Sequence, residues 1–104
     1  MRMLRLVLAT EHALFRAGLR CLLETVDGVK VVADTGSGRE AVSLTKSHRP
    51  SVVLIEPDLS EFGGLEAIGQ ILQNSPDARV ILVTSNGDSI RRGYSNERGS
   101  SRRR

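Results

Sequence analysis

Glu11, Glu56 and Thr84 are the residues with the clearest chemical possibilities, because each stands at the end of a short apolar run. Leu4-Arg5-Leu6-Val7-Leu8-Ala9 leads into Thr10-Glu11, and Ser51-Val52-Val53-Leu54-Ile55 leads into Glu56-Pro57-Asp58. Arg79-Val80-Ile81-Leu82-Val83-Thr84 runs out at Thr84-Ser85. Runs of this kind suit buried strands. Two carboxylates and a hydroxyl at strand ends make a set of hard oxygen donors, which suits Mg²⁺ together with a phosphoryl group. The sequence offers no nucleophile with a base partner, no catalytic base and no complete metal set, so it does not read as an enzyme.

Other candidates have simpler explanations. His12 reads as a helix-start residue, since no metal-ligand spacing surrounds it. Cys21, between Arg20 and Leu22, reads as a small, partly buried filler. Gly36-Ser37-Gly38 lacks the Lys-Ser/Thr of a nucleotide-binding loop and reads as a strand-to-helix turn. Gly63-Gly64 likewise reads as the start of a helix.

The elements that must position these groups alternate in period. From His12 to Val26, Leu14, Phe15, Gly18, Leu19, Leu22, Leu23 and Val26 recur at helical spacing, and Asp27-Gly28 ends the helix. Val29-Lys30-Val31-Val32-Ala33 predicts a second strand. Ser37 is placed to cap a helix carrying Ala41, Val42 and Leu44, which closes at His48-Arg49-Pro50 because Pro50 disfavours helix at the residue before it. Leu65, Ile68, Ile71 and Leu72 mark a third helix, ended by Asn74-Ser75-Pro76. Strands alternating with helices predict βαβ crossovers and an α/β doubly wound parallel sheet covered on both faces. In such a sheet ligands bind beyond the carboxyl ends of the strands, where Glu11, Glu56 and Thr84 fall.

Length and charge bound the rest. The 104 residues support one domain. A single cysteine excludes a disulfide framework, and the apolar runs are far too short to span a bilayer. The N-terminus has no signal-peptide layout, which predicts a cytoplasmic protein without a membrane partner. The net charge of +3 is unevenly placed. Residues 1–88 hold nine basic and eleven acidic residues, while 89–104 hold six arginines and Glu97. Beyond Ser85 only Ile90 and Tyr94 are sizeable apolar groups. The expected division is therefore a folded unit over 1–88 and a basic, disordered Arg/Gly/Ser tail over 89–104.

Residues 4–84 resemble the receiver domain of two-component response regulators, most closely the NarL/LuxR type. The resemblance is carried by LRLVLATEHALFRAGLRCLLE, VVADTGSGREAVSLTKSHRPSVVLIEPDLSEFGGLEAIGQI and ARVILVTS. It implies a flavodoxin-like, CheY-like sheet, here truncated after the fourth strand, and a part in phosphorelay signal transduction. It also implies a site. The acidic pair that binds Mg²⁺ falls on Thr10 and Glu11, so one carboxylate is lost at Thr10. The phospho-acceptor position holds Glu56 rather than aspartate. The position whose carbonyl would ligate the metal is Asp58, which makes Glu11, Glu56 and Asp58 the family's metal positions. The switch hydroxyl is Thr84. Gly63-Gly64 stands where Asp-Gly is usual, and the phosphate-contacting lysine has no counterpart.

These departures predict weak Mg²⁺ binding and little or no phosphoryl acceptance at Glu56. The expected function is a degenerate signalling receiver whose partner is a histidine kinase or another signalling protein. The alternatives are a phosphorylation-independent interaction module and a truncated fragment with nonspecific nucleic-acid affinity through its arginines. Loss of the fifth strand and helix predicts an open edge on strand four and a bare sheet face around strands one and three, and with them either a homodimer paired through that edge and face or a marginal, aggregation-prone monomer.

Overall fold

The computed structural model describes residues 3–59 and 63–84. Its elements follow in strict alternation: β1 (Leu4–Ala9), α1 (Ala13–Glu24), β2 (Val29–Thr35), α2 (Gly38–His48), β3 (Val52–Ile55), α3 (Gly64–Asn74) and β4 (Arg79–Leu82). The strands form one parallel sheet in the order β2-β1-β3-β4. This is the doubly wound arrangement expected from the alternating periods. The segment read as a tail lies outside the described residues.

The central strands are apolar on both sides because both faces are covered. Val7 and Ala9 of β1 and Val53 and Ile55 of β3 pack with Ala41, Val42, Ala67 and Ile71 from α2 and α3. Leu6 and Leu8 of β1 point the other way, with Val31, Val52 and Leu54, and meet Leu19 and Leu23 of α1. Full burial of each such side chain contributes about 1.5–3 kcal/mol. β2 runs two residues further than its apolar pattern, because Asp34 and Thr35 continue the ladder opposite Leu8 and Ala9.

Local signals set the helix ends. Ser37 accepts a hydrogen bond on its side chain from the Glu40 N–H at 3.2 Å, which satisfies one of the four free donors of the first turn. α2 closes with Arg49 in the left-handed region (φ 48°), and the Arg49 N–H binds the Thr45 carbonyl. α1 begins at His12, whose side chain makes no capping bond.

Two expectations need correction, and one element departs from its pattern. The sheet face around β1 and β3 is not bare: Leu6, Leu8, Val52 and Leu54 are all buried, with Leu19, Leu23 and Val83 packed against them. The helical spacing of apolar residues in α1 does not correspond to burial. No residue of that helix is buried, and Leu14, Leu22 and Val26 are exposed. Among the described residues of α1, Leu19 and Leu23 pack against the sheet. Cys21 shares the outer side of α1 and is exposed, not a partly buried filler.

Candidate functional site

The carboxyl ends of the strands gather the residues singled out from the sequence. Thr10 ends β1, and its N–H extends the ladder by binding the Thr35 carbonyl at 3.1 Å. Glu56 ends β3 in the same way, with its N–H on the Ala9 carbonyl at 2.9 Å. The next bond of the set leaves the ladder: the Glu11 backbone N–H donates to Glu56 Oε1 at 3.1 Å. The Glu56 side chain therefore folds back over the end of β1, and the residue is only 4% exposed. The two glutamates meet through the Glu56 carboxylate and a Glu11 peptide group.

The acidic side chains are otherwise dispersed. Glu11 and Asp58 are exposed, whereas Glu56 is buried. Among the described residues no three His, Cys, Asp or Glu side chains gather closely enough to hold a metal ion. Thr10 is fully enclosed, and its Oγ1 has no hydrogen-bond partner among the described residues. A buried hydroxyl left unpaired costs about 1–3 kcal/mol. Thr84 lies half-buried two residues beyond β4. The Val83 N–H just before it binds the Ile55 carbonyl at 3.1 Å, which brings Thr84 to the same rim as Glu56.

Two supporting features were not read from the sequence. The first is Arg16. Its Nη1 donates to the Thr10 carbonyl at 2.6 Å and its Nε to Asp34 Oδ1 at 3.1 Å. Arg20 donates to the other Asp34 oxygen and, at 3.2 Å, to the Val31 carbonyl. α1 is thereby tied to the end of β2, and the β1–α1 turn carrying the Glu11 N–H is held from behind. Gly36 leaves room for this, since a Cβ there would sit 3.0 Å from Arg16 Nη1. The signal was present as Arg16 and Arg20 one helical turn apart, but their common partner Asp34 was not foreseeable from spacing alone.

The second is Gly64. A Cβ at this position would lie 2.3 Å from the Glu56 carbonyl oxygen and 2.6 Å from Pro57 Cα. The first residue of α3 thus presses on the backbone of the very residue that supplies the buried carboxylate. Gly63 before it takes φ 85°, a left-handed turn that glycine adopts without strain. The Gly63-Gly64 pair is therefore more than a helix start. It lets α3 abut the end of β3.

A parallel sheet of this order, with acidic and hydroxyl groups at its carboxyl rim, is a doubly wound α/β domain. The sequence model described as the response regulator receiver domain matches residues 6–99, and the chain belongs to that family. It is 35% identical over 82 residues to the response regulator GacA of Pseudomonas viridiflava, covering 79% of this chain and 38% of that protein. The response regulator UvrY of Escherichia coli gives the same identity and coverage. The chain thus spans about two-fifths of the length of these relatives. Among solved structures, the signal receiver domain of a NarL response regulator from Mycobacterium tuberculosis superimposes with a TM-score of 0.76 at 27% identity. The match covers 83% of this chain and 69% of that one. These likenesses support the NarL/LuxR type. Receiver domains in general are signalling domains rather than enzymes, bind Mg²⁺ at the phosphorylation site, and interact with histidine kinases. No helix among the described residues is long and apolar enough to cross a membrane.

Proposed function

We propose that this chain is a receiver that takes part in two-component signalling without accepting phosphate. The observation that carries this reading is the placement of Glu56: a buried carboxylate at the acceptor position, folded back onto the Glu11 N–H. In-line phosphoryl transfer depends on positioning and on neutralising charge. Glutamate carries its oxygens one methylene further than aspartate does. The acidic pair is reduced to Glu11, whose side chain points to solvent, and Thr10 supplies no charge. Mg²⁺ binding through Glu11, Glu56 and Asp58 is weak in this reading. The carboxylate instead stands in permanently for a charged acceptor, and signalling proceeds through surface contacts in the cytoplasm, with a histidine kinase or another signalling protein as partner. Any role in transcription belongs to a longer regulator of the GacA or UvrY kind.

Incubation of the full chain with acetyl phosphate and Mg²⁺, followed by intact mass spectrometry, tests the proposal. No phosphoryl adduct is expected. A stoichiometric adduct mapped to Glu56 would overturn it. Affinity for nucleic acid through the arginines of 89–104 is the competing reading. It is distinguished by salt-sensitive retention on DNA that disappears when those residues are deleted.

A further inference from the structure

We infer that the cavity between the carboxyl ends of α2 and α3 binds a small zwitterion, its anionic group toward α2 and its ammonium toward α3. The cavity has a volume of about 410 Å³, within the roughly 300–1,000 Å³ of small-molecule sites. Lys46 and Arg49 line it at the end of α2, and Asn74, Ser75 and Asp77 line it at and beyond the end of α3. Pro50 and Ala78, both buried, border it as well. These residues precede β3 and β4, so the cavity lies at the opposite end of the sheet from the rim that holds Glu56.

The two walls differ in charge. α2 carries Lys46 and His48 in its last turn and Arg49 just beyond, which makes its end basic. α3 has no base in its last turn. Its last carbonyls therefore keep the negative end of the helix dipole, and Asp77 adds a carboxylate on that side. Among the described residues Lys46, Arg49 and Asp77 form no ion pair, and the side chains of Asn74 and Ser75 make no hydrogen bond. Two cations on one wall and an anion on the other, none of them neutralised within the chain, favour a ligand carrying both charges. An anion alone is attracted by Lys46 and Arg49 but repelled by Asp77, and a cation alone meets the reverse.

Arg49 points to the same use. Its φ of 48° is the only positive one at a non-glycine among the described residues. Glycine takes this conformation without strain, so the turn itself does not call for an arginine. The backbone that carries the guanidinium is fixed on both sides: the Arg49 N–H binds the Thr45 carbonyl at 3.0 Å, and the Arg49 carbonyl accepts from Arg5 Nη1 at 3.1 Å. On the other wall the Ser75 N–H binds the Ile71 carbonyl at 2.8 Å, and the Ala78 N–H closes back on the Ser75 carbonyl at 3.0 Å. Each wall also contains a proline, Pro50 or Pro76, which restricts its turn further. The cavity is thus pre-formed, and little ordering of the chain opposes binding.

Amide NMR of the isotope-labelled full chain is the test, with γ-aminobutyrate and phosphoethanolamine as zwitterions, acetate and inorganic phosphate as anions, and ethylamine as a cation. A zwitterion should shift the amides of Arg49, Ser75, Asp77 and Ala78 with a millimolar dissociation constant, and the matching anion and ethylamine should bind about tenfold more weakly. Binding of one zwitterion and not the other supports the inference and tells carboxylate from phosphate. Arg49→Gly suits the left-handed turn, so it should weaken zwitterion binding about tenfold without lowering the urea midpoint. Asp77 is exposed, and Asp77→Asn should weaken zwitterion binding by a similar factor while phosphate binds as before or more tightly. That change of selectivity is one that a structural role for Asp77 would not produce, and it holds even if Arg49→Gly perturbs the turn. Absence of shifts around the cavity with both zwitterions overturns the inference. So does phosphate binding as tightly as phosphoethanolamine, or zwitterion binding that Asp77→Asn leaves unchanged.

Discussion

α1 and α2 are nearly equal in length, twelve and eleven residues, yet they are held by different forces. α2 is specified locally and from within. Ser37 caps it, Glu40 lies in its first turn, Lys46 and His48 lie in its last turn, and Ala41, Val42 and Thr45 are buried. The acid and the bases complement the helix dipole at the ends where each is favourable. α1 has no side-chain cap, no acid in its first turn, no base in its last and no buried residue. It stays in place because Leu19 and Leu23 touch the sheet and because Arg16 and Arg20 hold Asp34. A helix attached along one side by a few specific contacts leaves its other side available.

The sharpest contrast comes from putting the same change into the attached and the free helix surfaces. Gly64→Ala, at the start of α3, drives a Cβ into the Glu56 carbonyl and Pro57 Cα, and backbone atoms cannot swing aside. A loss of about 3 kcal/mol is expected in urea unfolding. Gly18→Ala meets nothing and should stabilise the monomer by about 0.5–1 kcal/mol. If the two variants behaved alike, the view of α1 as a helix with one open side would fail.

Next in size is the ion-pair attachment. Arg16 and Asp34 are 21% and 25% exposed at their side chains, so their pairing is screened only in part. Arg16→Ala should cost about 1.5–3 kcal/mol, the range for hydrogen bonds to charged groups, because the Thr10 carbonyl loses its donor as well. A double-mutant cycle with Asp34→Ala should return a coupling above 0.5 kcal/mol. Independent, additive effects would show that the network does not hold α1. The Glu11 amide should also exchange faster with solvent in Arg16→Ala, because the turn that presents it to Glu56 is no longer braced.

The legibility of this molecule follows from which contacts are periodic. β1, β3 and the apolar sides of α2 and α3 were readable because burial repeats along them at a fixed spacing. The Ser37 cap was readable because capping is local in sequence. The position of Glu56 at the rim was readable because strand ends are. Its hydrogen bond to a peptide group was not, since side-chain direction depends on the β1–α1 turn. That turn in turn depends on Arg16 and Asp34, which stand eighteen residues apart. The misjudged burial of Cys21 has a similar origin. An apolar residue at helical spacing signals a contact, but the sequence does not say whether the contact is inside the chain or with another.

The smallest expected effects concern the helix starts, and they bear on the comparison directly. Removing the cap of α2 by Ser37→Ala leaves the Glu40 N–H without its acceptor and should cost about 1 kcal/mol. α1 offers the opposite experiment. His12 already has the extended backbone of an N-cap, φ −82° and ψ 113°, and lacks only a side chain that accepts from the first turn. His12→Ser supplies one without altering any buried contact, since His12 is exposed. It should therefore stabilise the chain, by about 0.5–1 kcal/mol, measurable as a shift in the urea midpoint with an unchanged slope. The gain should survive in an Arg16→Ala background, because a cap acts within its own helix and does not depend on the tie to β2. A gain that vanished there would mean that α1 forms only when Asp34 holds it.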